Sequence, residues 1–186
     1  MTFNIQKANM NHSNDEPRNT LWRLIKDMKF GMFTTHHDNG HLHARPMTTQ
    51  NHAIDEHDLL WFFMSRKAET VADLLASPQV NVVYADSSKD TYVSVSGEAS
   101  LVEDMAKKKE LWSVFVKAWF PDGVEDADLA LVQVKISHAH YWDVDSSKLV
   151  QIYSMVKAVV TGKPPTDMGD SGEVRMHDDQ IAHTAT

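Results

Sequence analysis

The sequence predicts a mainly β fold with flanking helices, an α+β domain built on a small six-stranded antiparallel barrel. Three observations lead there. Six runs of strand character fall between Phe30 and Asp143, many joined by hairpin-length turns. Helical stretches stand before, between and after those runs. The chain has 186 residues, 42% hydrophobic and 24% charged, which suits one ordinary globular domain with a substantial core.

Residues 1–16 are polar and Asn-rich and read as a flexible N-terminal tail. Residues 17–150 form the expected domain. Pro17 suits the first turn of a helix to about Lys29, with Leu21, Leu24, Ile25 and Met28 on one face. Phe30 to Thr35 reads as a strand, and Asp38-Asn39-Gly40 supplies residues that tolerate positive φ in a tight hairpin. The return strand, His41 to Gln50, alternates, with His43, Arg45, Met47 and Thr49 on one face. Its Pro46 belongs at a sheet edge or an irregularity, because it donates no ladder hydrogen bond.

Leu59–Met64 is a strand apolar on both faces, so each face needs a cover. Ser65 is placed as the N-cap of a helix to Ala76, which Ser77-Pro78 stops. Gln79 to Asp86 and Thr91 to Leu101 form a second strand pair. Asp104 opens one helix carrying Leu111, Trp112, Phe115, Val116 and Trp119, ended by Phe120-Pro121-Asp122-Gly123. Ala130 to Asp143 is the last long strand. Residues 151–186 read as a short helix, Ile152 to Val160, and a polar tail from Gly162-Lys163-Pro164-Pro165.

The formal charge of −8 argues against an extended nucleic-acid interface, which needs a basic stripe. The absence of cysteine excludes disulfides, thiolate catalysis and cysteine-held metals. Met1–Glu16 lacks the apolar core of a signal peptide, and no stretch approaches the ~20 apolar residues of a membrane span. A cytoplasmic location is expected.

Two compact basic segments stand out in this acidic chain. Arg45-Pro46-Met47 lies within the second strand, and Ser65-Arg66-Lys67 follows the aromatic run Trp61-Phe62-Phe63. Two guanidinium forks, an ammonium and a hydroxyl brought together suit a phosphate, because they neutralise and hydrogen-bond its oxygens. Ser65 at a helix start would add backbone N–H donors and the positive end of the dipole. The aromatic run offers an apolar wall for the rest of a ligand. Taken singly, each segment reads equally as solvated surface charge.

The order strand, Arg-Pro-Met, hairpin, aromatic strand, Ser-Arg-Lys and helix resembles the FMN-binding split barrel of the pyridoxamine 5'-phosphate oxidase-like superfamily. Within it, the resemblance is to the general stress protein 26 branch, from about Thr20 to Asp145. It implies a six-stranded antiparallel split β-barrel of the FMN-binding type, a homodimer with the flavin at the subunit interface. FMN is the implied cofactor, with FAD as the alternative. Arg45, Ser65, Arg66 and Lys67 would take the phosphate side; Pro46, Met47, Phe62 and Phe63 would contact the ring and ribityl chain. Arg66 has a second reading as a bridge between subunits.

The segment Lys117 to Gly123 resembles the piece that this branch contributes from the partner subunit. It makes Trp119 a partner-side contact, against a competing reading as core or interface packing. Trp142 matches an aromatic-Trp step on the last barrel strand, with a buried structural role as the alternative. The doubly apolar Leu59–Met64 strand and the tryptophan-bearing helix argue for a dimer as well.

True pyridoxamine-phosphate oxidases carry an Arg-x-His clamp shortly after that tryptophan. Here Trp142 precedes Asp143-Val144-Asp145, and Arg175 is the sole arginine beyond it. The resemblance therefore implies a low-specificity flavin oxidoreductase linked to stress response, acting on a small redox substrate. A non-catalytic flavin-binding or sensing module shares every binding residue, and a vitamin-B6-phosphate oxidase stands third. The sequence singles out no catalytic group. Eleven histidines include the same-face pairs His41/His43 and His138/His140, but no metal-ligand spacing of known type, so no metal site is expected.

Overall fold

The computed structural model describes residues 3–53, 55, 57–143 and 170–175, with the backbone alone for 3–15 and 170. Helix α1 (Phe3–Met28) leads into strands β1 (Phe30–His36), β2 (Leu42–Thr48) and β3 (Leu59–Ser65). Helix α2 (Glu69–Ala76) is followed by β4 (Gln79–Asp86) and β5 (Thr91–Val102). Two short helices, α3 (Met105–Leu111) and α4 (Val114–Lys117), precede β6 (Leu129–Asp143) and β7 (Asp170–Arg175).

Among the described residues the sheet is antiparallel and open, in the order β2-β1-β4-β5-β6-β3, with β7 also paired to β6. Its two ends approach each other without a full ladder. Gln50 N–H donates to the Trp61 carbonyl at 2.8 Å. The Asn51 side chain bridges the Leu59 carbonyl and the Trp61 N–H. Past Trp61 no ladder pairs β2 with β3 among the described residues, as in a split barrel. Pro46 lies on edge strand β2, where its missing donor costs no ladder bond. Gly40 closes the first hairpin at φ 82°, as the Asp-Asn-Gly turn predicts.

Strand β3 divides the apolar interior. Leu60, Phe62 and Met64 join Phe33, Val82, Tyr84, Val93, Val95 and Val134 inside the barrel, and Leu21, Trp22, Leu24 and Ile25 of α1 cap it. Trp61 and Phe63 face the other way, against Leu111, Val116, Phe120, Leu129 and Leu131. Both faces of β3 are thus covered within one chain. The strand therefore lends no weight to a dimer, contrary to the argument from its two apolar faces.

Four expected elements differ. Helix α1 starts at Phe3, so Pro17 sits inside it. The polar residues before Pro17 lack an apolar stripe, so no periodicity announces them. The helix expected from Asp104 onward is broken at Trp112. Ser113 caps a new helix by accepting from the Val116 N–H, which turns Trp112 inward and leaves Phe115 exposed. Ser65 ends β3 and caps nothing; the N-cap of α2 is Ala68, which has no side-chain cap bond. Finally, the polar tail contributes a seventh strand, β7, while the expected helix Ile152 to Val160 lies outside the described residues.

A buried carboxylate ties α2 to the sheet. Asp73 accepts from Thr35 Oγ1 at 2.7 Å and pairs with His37 Nδ1 at 2.7 Å. Burial opposes its ionisation, but the Thr35 and His37 hydrogen bonds and the His37 and Arg45 charges outweigh that and lower its pKa. The same bond to Asp73, joined by the charges of Asp38 and Glu69, raises the pKa of His37. His37 therefore stabilises the fold fully below its ordinary value of 6.5 and loses that contribution as pH climbs through the raised pKa. Asp73 contributes above its ordinary 3.8 and loses it as pH falls through the lowered one. Ring-proton NMR should place the His37 midpoint above 6.5, and Asp73→Asn should bring it down. A wild-type midpoint at or below 6.5 would rule out the pair.

Candidate functional site

The Ser-Arg-Lys segment is a turn between β3 and α2, and Asp128 organises it. Ser65 Oγ donates to Asp128 Oδ2 at 2.7 Å, and the Arg66 N–H donates to the Asp128 carbonyl at 2.7 Å. The Lys67 N–H reaches Ser65 Oγ at 3.2 Å and Asp128 Oδ1 at 3.3 Å. The Ser65 hydrogen bond, aided by the Arg66 and Lys67 backbone and the Lys67 charge, holds the Asp128 carboxyl below its usual range. The hydroxyl and two N–H groups expected to meet a phosphate are thus already occupied. Asp128 itself was not singled out from sequence. Its signal is weak, since it is one aspartate in the acidic run that leads into the last strand.

The side chains of this turn diverge. Arg66 pairs with Glu103, whose carboxyl it lowers, and so contacts the segment before α3. Lys67 is exposed and enters no ion pair among the described residues. Arg45 comes from β2, on the face shared by His43 and Met47, and reaches the first turn of α2. It bonds Thr70 Oγ1 and lies 3.4 Å from Glu69 and 3.8 Å from Asp73. The start of α2 therefore brings the two basic segments together: Lys67 sits just ahead of it and Arg45 lies against it.

The aromatic wall is placed differently from the expectation. Phe62 is fully buried, edge-on to Phe33 at 5.1 Å between ring centroids. Phe63 packs against Trp112 in the outer core. Neither ring faces solvent, because β3 has a core on each side. What β3 does present is backbone. Trp61 directs its N–H and carbonyl toward β2, and strand alternation directs those of Phe63 the same way, where no ladder pairs the two strands. Met47 packs against the inner core, and Pro46 is exposed on the outer face of β2.

Trp142 is 45% exposed and stacks on His140 at 5.8 Å, so it is not a buried structural tryptophan. Trp119 is 83% exposed in the turn after α4, with Val114 and Phe115 also exposed. The Lys29 ammonium lies 5.7 Å from the Phe115 ring centre. Core packing is excluded for Trp119; Phe120 takes that place.

Two features near the last strand also correct the sequence reading. Asp143 is no free repulsive charge: Arg23 pairs with it at 2.8 Å and Thr91 Oγ1 donates to it at 3.1 Å. Asp145 lies outside the described residues. Arg175 is brought back to the sheet by β7, opposite His138, where its guanidinium holds Glu173 at 2.8 Å.

Comparisons with known proteins agree with this architecture. Protein bli-3 of Neurospora crassa is 29% identical over 164 residues, spanning 82% of this chain and 77% of that protein. The general stress FMN/FAD binding protein of Xanthomonas citri is 30% identical at a TM-score of 0.61, covering 71% of this chain and 92% of that one. General Stress Protein 26 of Bacillus anthracis shares the fold at 22% identity, with a TM-score of 0.59 and coverage of 67% and 92%. The model of the family described as Pyridoxamine 5'-phosphate oxidase like matches residues 16–166. With that match over most of its length and the open antiparallel barrel beneath it, the chain belongs to the pyridoxamine 5'-phosphate oxidase-like family.

Proposed function

We propose that the protein is a homodimeric flavoprotein that holds FMN in the gap between β2 and β3 and carries out low-specificity redox chemistry linked to stress. FAD is the alternative cofactor. The observation that carries the reading is that Arg45 reaches the first turn of α2, two residues after Lys67, beside a β3 edge that β2 does not ladder. The 30% identical Xanthomonas protein, described as FMN/FAD binding, supports the same cofactor class.

The residues present fit such a group. Lys67 offers the phosphate an exposed ammonium, and Arg45 a guanidinium already oriented by Thr70 and Glu69. The Phe63 backbone offers one donor and one acceptor to a heterocycle edge, and Met47 an apolar contact beside it. Bound flavin would supply the one- and two-electron chemistry that no side chain provides. The chain's part is to bind, orient and set access. Trp119 and Trp142, both exposed, serve as ring contacts across the dimer. The exposed apolar residues Val114, Phe115 and Trp119, close together along the chain, are the kind of surface that a second subunit covers.

FMN should bind more tightly than riboflavin. A charge-assisted contact contributes roughly 1.5–3 kcal/mol, so Lys67→Ala should weaken FMN by about tenfold or more and leave riboflavin nearly unchanged. Arg45→Ala should cost less, because its guanidinium is shared with Glu69 and Asp73. Equal wild-type affinities for riboflavin and FMN in a fluorescence titration would sink the phosphate assignment. Bleaching of the flavin band by NAD(P)H then separates an oxidoreductase from a passive carrier.

Light scattering should show a dimer at micromolar concentration, and Phe115→Glu with Trp119→Ala should shift it toward monomer and weaken FMN together. A wild-type monomer that still holds FMN would overturn the shared site.

Oxidation of pyridoxamine or pyridoxine 5'-phosphate should be negligible. Asp143 is neutralised, so the reason is not repulsion. Arg175, the one arginine beyond Trp142, is held by Glu173, so no bidentate cation is in place for a substrate phosphate. Turnover near one per second, within the ordinary range of enzymes at about 1–10³ per second, would restore the oxidase reading.

A further inference from the structure

We propose that His138, His140 and Glu173 form a binding site for a divalent transition-metal ion, zinc foremost, on the outer face of the β6–β7 pair. The proposal uses none of the phosphate residues of the flavin reading and shares with it only Trp142, which stacks on His140.

The site is made by two features of β6. Its pairing with β5 slips between Ser96 and Gly97: Gly97 opposes Ile136 while Ser96 opposes His138. Ser137 is therefore the extra residue of a bulge, and its hydroxyl donates to the Ser96 carbonyl at 3.1 Å. A bulge reverses the alternation. Before it, Val132, Val134 and Ile136 face the inner core; after it, Ala139 and Tyr141 face inward. His138, His140 and Trp142 are sent outward as a row. The second feature is β7, whose register sets Glu173 opposite His140 and Arg175 opposite His138.

The donors then converge. His138 Nε2 lies 3.4 Å from Glu173 Oε1 and His140 Nε2 lies 3.9 Å from Oε2. All three ligating atoms lie within 4.8 Å of one another. In a tetrahedral shell with bonds of about 2.0–2.1 Å they would sit about 3.4 Å apart, within reach of small side-chain rotations. The imidazole planes are inclined by 51°, so the rings are not stacked face to face. Two imidazoles and one carboxylate suit a borderline divalent ion and leave positions for water. Outer contacts orient the set, as metal ligands require. Arg175 Nε donates to Glu173 Oε1 at 2.8 Å and keeps its carboxyl ionised, leaving Oε2 to the ion. Trp142 stacks on His140 within 24° of parallel.

A second trio, His37, His43 and Glu69, is equally close but less suited. Its rings stack face to face at 4.4 Å and 14°. Its members are also committed elsewhere: His37 Nδ1 ties α2 to the sheet through Asp73, and Glu69 lies against Arg45 of the proposed flavin site.

The test is calorimetric titration of the full chain with zinc chloride. One ion should bind per chain at the β6–β7 site. His138→Gln, His140→Gln and Glu173→Gln should each weaken it by about tenfold to hundredfold, and Arg175→Gln by about tenfold. His43→Gln should leave it unchanged. Nickel should quench the Trp142 emission of the wild type, and Trp142→Phe should remove that quench without altering zinc stoichiometry. A measurement on the wild type alone guards against unfolded variants: cobalt(II) should shift and broaden the ring protons of His138 and His140 by NMR. Cobalt effects confined to other histidines would overturn the site. So would zinc affinity that survives His140→Gln but falls with His43→Gln, or wild-type binding only at millimolar zinc.

Discussion

Strand β6 is the member on which both halves of the molecule depend. An isolated strand edge exposes a row of unpaired donors and acceptors, and a sheet that curls must distribute its edges among several partners. At 15 residues, β6 is long enough to pair with β5 along one edge and with β3 and then β7 along the other. The bulge at Ser137 makes the bend. At Gly97, opposite it, a side chain would run into the Lys135 carbonyl, so only glycine permits the close approach. Gly172 has a similar role on β7, where a Cβ would meet the Tyr141 ring that lies across from it.

From that scaffold follows the two-core arrangement. Because β3 pairs with the first half of β6, its side chains alternate between the barrel interior and the layer under α3 and α4. The aromatic run is thereby used for packing on both sides, and what remains for a ligand is the strand's free backbone edge. In the proposed reading, this division of labour, side chains for stability and main chain for recognition, suits a planar heterocycle that needs one donor and one acceptor at fixed spacing.

Carboxylates hold most of the basic groups of the candidate site before any ligand arrives. Glu69 and Asp73 lie against Arg45, Glu103 pairs with Arg66, and Asp128 takes the Ser65 hydroxyl and the turn's N–H groups. Such pairing orients the cations and limits the repulsion among them in the absence of an anion. In the proposed flavin reading, a phosphate has to compete with these carboxylates, so the exposed ammonium of Lys67 is the group best able to add binding energy. The long α1 helix is tied to the sheet elsewhere. Its Arg23 neutralises Asp143 at the end of β6, and Lys29, the residue after the helix, lies over Phe115.

The sequence by itself determined the strand runs, the Asp-Asn-Gly hairpin, the edge position of Pro46 and the two basic segments, because turn chemistry and apolar alternation are local properties. The resemblance carried by those segments led to the right family. What only the tertiary structure decided lies in relations between distant residues. Asp128 governs Ser65 across 63 positions, and Glu173 meets His140 through a strand that no apolar pattern marks. Trp112 and Trp119, seven apart in one helical-looking stretch, face opposite environments because Ser113 starts a new helix between them. The Ser137 bulge shifted the facing of every later β6 residue by one step. Periodicity counts positions, and it cannot register the single inserted residue that a partner strand refuses to match.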